Sequence, residues 1–128
     1  MTARNVEIMS IIVDELENKT LSQALKTVYV KRSVEIPFSN QEMDIEIEKL
    51  GLSTRALWAL KRTHLDTLND VINHISERGI KNIKNFGATC ATEVFETILD
   101  WCWNHMSVKE KTEFLIDTVV RNSGNVRA

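Results

Sequence analysis

Leu50-Gly-Leu-Ser-Thr-Arg-Ala-Leu-Trp-Ala-Leu-Lys-Arg62 lies in the middle of this 128-residue chain, and a second motif, Ile83-Lys-Asn-Phe-Gly87, follows it. Ser53 is a favourable N-cap for a first short helix, and Thr67 is a favourable N-cap for a second. The Asn-Phe-Gly turn then leads into apolar residues at helical spacing from 91 to 106. This stretch therefore predicts two short capped helices and a glycine turn that begins a longer helix.

The segments on either side also have helical patterns. Apolar residues at helical spacing over 5–18, followed by a capping-box pattern at Thr20, predict an N-terminal helical hairpin. A capping-box pattern at Ser39 predicts a short acidic helix that Gly51 closes, and another at Ser107 predicts a last helix. We therefore predict an all-α fold.

The composition agrees with this fold class. Hydrophobic residues make up 43% of the sequence and charged residues 27%, which is typical of a folded soluble protein. Glycine and proline break helices, and the sequence has only four Gly and one Pro. A protein of this length suffices for one domain with a hydrophobic core.

The sequence has two cysteines, Cys90 and Cys102, and its N-terminus lacks the pattern of a signal peptide. This combination favours a reducing cytoplasmic location without a disulfide framework. Apolar runs such as Ile8–Val13 are too short to cross a bilayer, so we expect no membrane association.

Charge is unevenly distributed along the sequence. Residues 51–92 carry six Lys or Arg against three Asp or Glu, a net charge of +3, whereas residues 1–50 carry −3 and residues 93–128 carry −2. A net charge of −2 argues against nucleic-acid binding over the whole surface. The basic segment coincides with the two motifs.

The order of these elements resembles the C-terminal domain of the bacterial RNA polymerase alpha subunit. That domain is a compact helical module, related to helix-hairpin-helix folds, which contacts the DNA minor groove and transcription activators. On this basis we expect an N-terminal extension over 1–44, the polymerase-like module over 45–106, and a C-terminal helix and tail over 107–128.

The resemblance also implies a set of DNA contacts. The family places an arginine in the minor groove from the position of Arg55, and a guanidinium suits the negative potential of a narrow A·T-rich groove. The main-chain N–H groups of the turn at Asn85 and Gly87 would hold the phosphate backbone. The full set of expected DNA-binding residues is Arg55, Lys61, Lys84, Asn85, Gly87, Thr89 and Cys90.

These residues also have simpler interpretations. Asn85 and Gly87 are ordinary turn residues, and Lys61 and Lys84 are ordinary surface cations. The sequence moreover departs from the family at Trp58, where an Asn is common, and at Thr89-Cys90, where Lys-Ser is common. We take Trp58 as a candidate partner-binding residue, with a minor-groove wedge and a packing role as alternatives.

Nothing in the sequence indicates catalysis, a metal or a cofactor. Cys102 and His105 form the only local pair of soft ligands, and zinc needs about four convergent ligands. No nucleophile motif or glycine-rich phosphate loop is present, so we expect no enzyme activity.

Two functions stay open at this point. The protein is either a transcription-related module that binds double-stranded DNA, or an adaptor that binds RNA polymerase or a transcription regulator without binding DNA itself. The N-terminal helices either form a homodimer or pack on the module as additional core.

Overall fold

The computed structural model of this protein describes residues 1–30, 34–80, 83 and 86–127. Within these residues there are six α-helices and one 3-10 helix, and no strand, which confirms the all-α prediction. The elements are α1 (Ala3–Glu15), α2 (Leu21–Val28), the 3-10 helix (Ile47–Leu50), α3 (Thr54–Arg62), α4 (Leu68–Arg78), α5 (Ala88–Asn104) and α6 (Val108–Arg121).

Four of the predicted helix caps are confirmed. Ser53 caps α3 by accepting a hydrogen bond from the backbone N–H of Ala56. Complete capping boxes begin α2 at Thr20, α4 at Thr67 and α6 at Ser107. Each box satisfies backbone N–H groups that a helix cannot bond internally, so these helices begin where the sequence predicts.

The predicted acidic helix after Ser39 is wrong. Residues 39–46 form no helix, and the 3-10 helix begins only at Ile47, although Gly51 does end it in the left-handed conformation with φ 79°. The backbone of this segment pairs instead with the start of α4, where Leu68 N–H donates to the Ile45 carbonyl at 2.8 Å. The Ile45 carbonyl, which a helix over this segment would use internally, is thus committed to α4.

Backbone contacts divide the protein into two compact units, which we call the terminal unit (1–37 and 103–128) and the central unit (38–102). The central unit lies largely inside the segment predicted to carry the function. The division that we predicted from the sequence, at residues 44 and 106, stays a prediction about functional segments.

The terminal unit joins the two ends of the sequence. Helix α1 packs against both α2 and α6, and Tyr29 forms an isolated antiparallel bridge with Val126. The Asn122 side chain is fully buried and bonds both backbone groups of Glu35, at 2.7 and 2.8 Å. Because a buried amide needs these partners, Asn122 fixes the N-terminal segment to the end of α6.

The central unit is built from the 3-10 helix, α3, α4 and α5 as far as Cys102. Its core consists of side chains from each of these elements that are almost completely inaccessible, among them Ile47, Leu60, Leu68, Ile72, Val94 and Ile98. Phe38 adds an edge-to-face contact with Phe95, with ring centroids 5.6 Å apart. This core holds α3 and the start of α5 in place.

None of the described helices combines the length and the apolar character that a membrane crossing requires.

Candidate functional site

Helix α3 presents a basic and aromatic face to solvent. Arg55, Trp58 and Arg62 lie at positions i, i+3 and i+7, so their side chains project from the same side of the helix. Arg55, Trp58 and Arg62 are exposed. Ala56 and Leu60, on the other side of the helix, are buried in the core. Among the described residues, neither arginine has an acidic partner. The face is therefore available to an external ligand.

A carboxylate from α5 holds the first turn of α3. Glu93 accepts two hydrogen bonds from Ser53, one from its backbone N–H at 2.6 Å and one from its hydroxyl at 2.7 Å. The Ser53 hydroxyl is also the N-cap of α3. Because Arg55 follows two residues after this cap, the Glu93–Ser53 contact fixes its helix relative to the first turns of α5.

The first turn of α5 offers backbone donors. The first bond across the start of the helix runs from the N–H of Ala91 to the carbonyl of Gly87, so α5 supplies no acceptor for the N–H groups of residues 88–90. Gly87 and Thr89 are exposed, but the Cys90 side chain is only 4% exposed. Cys90 therefore offers little surface to a ligand. Lys84 and Asn85 lie outside the described residues.

Gly87 is not required by the fold. Its φ lies outside the left-handed region, and a Cβ added there would meet no described atom within 4 Å. Most side chains could occupy this position without strain. The absence of a side chain instead leaves room for a ligand to approach the backbone N–H groups of α5.

Lys61 is engaged by carboxylates. Its Nζ lies 2.8 Å from a Glu48 carboxylate oxygen and 3.7 Å from an Asp66 oxygen. The hydrogen bond to Glu48 raises the pKa of Lys61, and the same bond lowers the pKa of Glu48. Lys61 is thus a partly neutralised cation, in contrast to Arg55.

The 42–48 segment carries four of the ten Asp and Glu residues of the central unit. Its residues pair with the start of α4, where Asp44 accepts from the Asn69 backbone N–H at 2.9 Å and Glu46 forms an isolated bridge with Thr67. Asp66 and Asp70 lie in the sequence around that helix start, which favours negative charge. The central unit therefore has a basic start of α3 and an acidic segment at 42–48.

The cysteines are buried thiols. Desolvation by burial raises the pKa of Cys102 to about 11, so this thiol is protonated at neutral pH and is a poor nucleophile. Cys90 is also buried. Over the described part of the sequence, no three His, Cys, Asp or Glu residues converge to hold a metal ion.

Sequence reasoning missed Glu93 as a positioning residue. Glu93 and Ser53 are forty residues apart, and neither position shows a pattern that would predict the contact. The Ser53 cap was predictable because its signal is local.

Comparisons with known proteins identify a family over most of the central unit. The profile of the family of C-terminal domains of the bacterial RNA polymerase alpha subunit matches residues 34–100. A DNA-directed RNA polymerase subunit alpha from Trieres chinensis is 37% identical over 84 residues, which cover 66% of this protein and 22% of the relative. The same subunit from Prochlorococcus marinus is 37% identical over 79 residues, covering 61% of this protein and 25% of the relative.

A third relative, the subunit alpha of Synechocystis sp., is 41% identical over 59 residues, 46% of this protein and 18% of its own length. The matched region thus spans about a quarter or less of the length of these curated relatives. No solved structure matches the protein significantly. The family match covers more than half of the 128 residues and confirms the resemblance read from the two motifs. The protein belongs to the family of C-terminal domains of the bacterial RNA polymerase alpha subunit.

Proposed function

We propose that this protein is a non-catalytic, transcription-related module that binds double-stranded DNA through one edge of its central unit. Arg55 enters an A·T-rich minor groove, and the backbone N–H groups at the start of α5 hold the adjacent phosphates. The observation that carries the proposal is the Glu93–Ser53 contact, because it fixes the helix of Arg55 to α5, which begins directly after Gly87.

The chemistry of this edge supports the proposal. Arg55 is exposed and has no acidic partner among the described residues, so its guanidinium is free to pair with a groove acceptor or a phosphate. Gly87 leaves the start of α5 open, as a close backbone approach requires. Thr89 is exposed in the same turn, where its hydroxyl can add a phosphate contact.

Other expected contacts contribute less in this proposal. Lys61 already binds Glu48 and Asp66, so a phosphate would compete with two carboxylates. The roles of Lys84 and Asn85 rest on the sequence alone. The proposed affinity is therefore modest, and it depends strongly on Arg55.

The proposal is tested by fluorescence anisotropy with a labelled A·T-rich duplex at two salt concentrations. We expect micromolar binding that weakens with salt. Arg55→Ala should lower the affinity by about tenfold. It should also reduce the slope of log affinity against log salt concentration by about one, because one positive charge at the DNA is lost. Gly87→Ala should also weaken binding, while the free energy of unfolding stays within about 0.5 kcal/mol of wild type.

Lys109→Ala is the matched control, because it removes an equal charge from an exposed position in the terminal unit. It should bind like wild type. Equal affinities for wild type and Arg55→Ala would refute the proposed contact.

A second candidate function is a protein-interaction adaptor for RNA polymerase or a transcription regulator. The acidic 42–48 segment favours it, because exposed carboxylates repel DNA and attract a basic protein surface. The absence of DNA binding at any salt concentration would favour this candidate. A homodimer through the N-terminal helices and a cytoplasmic location stay predictions.

A further inference from the structure

Trp58 is the largest exposed side chain of the central unit, at 54% relative exposure. It lies in the middle of α3, whose opposite side is buried in the core. Packing within the protein therefore does not explain a tryptophan at this position. More than half of this residue's surface is therefore open to a ligand.

Positive charge flanks this aromatic face. Arg55 precedes Trp58 by three residues and Arg62 follows it by four, so both lie one turn away on the same side of α3. Among the residues that the structure describes, neither guanidinium has a carboxylate partner. A ligand that covers Trp58 therefore meets two unneutralised cations, which favours a polyanion with flat apolar faces.

Stacked bases between phosphate backbones have this combination of properties. Along the axis of α3, Trp58 lies about 4.5 Å beyond Arg55, a distance comparable to the roughly 3.4 Å between successive base pairs. If α3 runs along the minor groove with Arg55 inserted, the indole lies one or two base steps away. In that orientation it meets the edge of a base step.

We propose that Trp58 is a wedge that inserts into an easily unstacked base step next to the groove contact of Arg55. Pyrimidine–purine steps such as TpA unstack at the lowest cost, whereas A-tracts are stiff. The module therefore prefers a duplex with a TpA step over a uniform A-tract and kinks it on binding. This inference rests on the proposed DNA-binding function and adds the DNA step that the site selects.

A protein surface is a weaker occupant for this face. An interface that buries both arginines would have to supply a carboxylate for each, because an unpaired buried charge is costly. DNA supplies phosphates on both sides of every step. The charge of the face therefore favours DNA.

The test uses the full-length protein and two duplexes of equal length and A·T content, one with a central TpA step and one with a central A-tract. Affinity is measured by anisotropy, and bending is measured by energy transfer between dyes at the two ends of the duplex. The variants are Trp58→Ala, Trp58→Phe and the control Lys109→Ala. Far-UV circular dichroism checks folding, which an exposed position should leave unchanged.

Wild type should bind the TpA duplex more tightly and bend it. Trp58→Ala should lose about tenfold in affinity for the TpA duplex, lose the bend, and bind the A-tract within about twofold of wild type. Trp58→Phe should keep part of both effects because it keeps an aromatic face.

Equal losses by Trp58→Ala on both duplexes, or no loss on either, would overturn the wedge. In the second case the DNA-binding proposal still stands if Arg55→Ala weakens binding, and the free indole is then left to a protein partner. Failure of wild type to bind either duplex would overturn the wedge and the proposed function together.

Discussion

The contact between Glu93 and Ser53 makes a prediction that links folding to DNA binding. Glu93→Ala removes the acceptor of two hydrogen bonds, at 2.6 and 2.7 Å, that hold the start of α3 on α5. Glu93→Gln removes the charge but keeps a carbonyl oxygen that accepts from one of the two Ser53 donors. Comparing the two variants separates the positioning role of Glu93 from its charge.

The stability effect follows from the geometry. Hydrogen bonds to a charged group contribute about 1.5–3 kcal/mol when buried, but Ser53 is exposed and solvent competes for both donors. We therefore expect Glu93→Ala to lower the free energy of unfolding by about 1–2 kcal/mol, and Glu93→Gln by about half as much. Urea unfolding followed by circular dichroism should show a midpoint lower by roughly 0.5–1 M for Glu93→Ala.

The effect on DNA binding has opposite signs in the two variants. Removal of a carboxylate near the proposed phosphate-binding edge lowers electrostatic repulsion, so Glu93→Gln should bind the A·T-rich duplex as tightly as wild type or more tightly. Glu93→Ala gains the same electrostatic benefit but releases the helix of Arg55. DNA binding must then order this helix, which costs free energy, so the affinity for DNA should fall several-fold.

Anisotropy titrations of wild type and both variants at one salt concentration measure this difference. Glu110→Gln is a control, since Glu110 belongs to the capping box of α6 in the terminal unit. Tighter binding by both Glu93 variants would refute the positioning role and leave Glu93 as a repulsive charge alone.

Three further substitutions have outcomes that the structure predicts. The fully buried Tyr29 hydroxyl has no hydrogen-bond partner among the described residues, so Tyr29→Phe should raise the free energy of unfolding by about 1 kcal/mol in urea titrations at pH 7. Burial raises the Tyr29 pKa to about 12. As the pH rises, the unfolded protein therefore loses the phenolic proton of Tyr29 before the folded protein does. Between pH 10 and 12 the free energy of unfolding should fall by about 2 kcal/mol more for wild type than for Tyr29→Phe. His64 follows the end of α3 and has a φ of 60°, a left-handed conformation that costs a residue with a Cβ more than it costs glycine. His64→Gly should therefore raise the free energy of unfolding by about 0.5–1 kcal/mol in urea titrations. A lower free energy of unfolding would contradict this explanation. Glu48→Gln removes the closer of the two carboxylates that hold Lys61. It should strengthen DNA binding several-fold with a steeper salt dependence, whereas unchanged binding would show that Lys61 does not reach DNA.

Local signals in the sequence predicted much of the fold. The caps at Thr20, Ser53, Thr67 and Ser107 hold because each satisfies backbone groups within the same turn. The same pattern failed at Ser39, where the backbone of the following segment pairs with a helix start more than twenty residues away. A capping pattern predicts a helix only where no distant partner competes for the same backbone groups.

Long-range contacts were not predictable from these patterns. The terminal unit forms because Asn122 and the Tyr29–Val126 bridge join the two ends of the sequence. Similarly, the sequence suggested Lys61 as a further basic contact beside Arg55. They differ in the structure because Glu48 and Asp66 meet only Lys61. The residue types of a candidate site are visible in one sequence, but their pairing depends on the packing of distant segments.

The central claim is that DNA binds the edge formed by the start of α3 and the start of α5. Titration of the ¹⁵N-labelled protein with an A·T-rich duplex, followed by backbone amide NMR spectra, tests it most directly. We predict that the largest shifts fall on residues 53–58 and 87–90, while the amides of the acidic 42–48 segment move little. The largest shifts on 42–48, or no shifts at any DNA concentration, would contradict the claim.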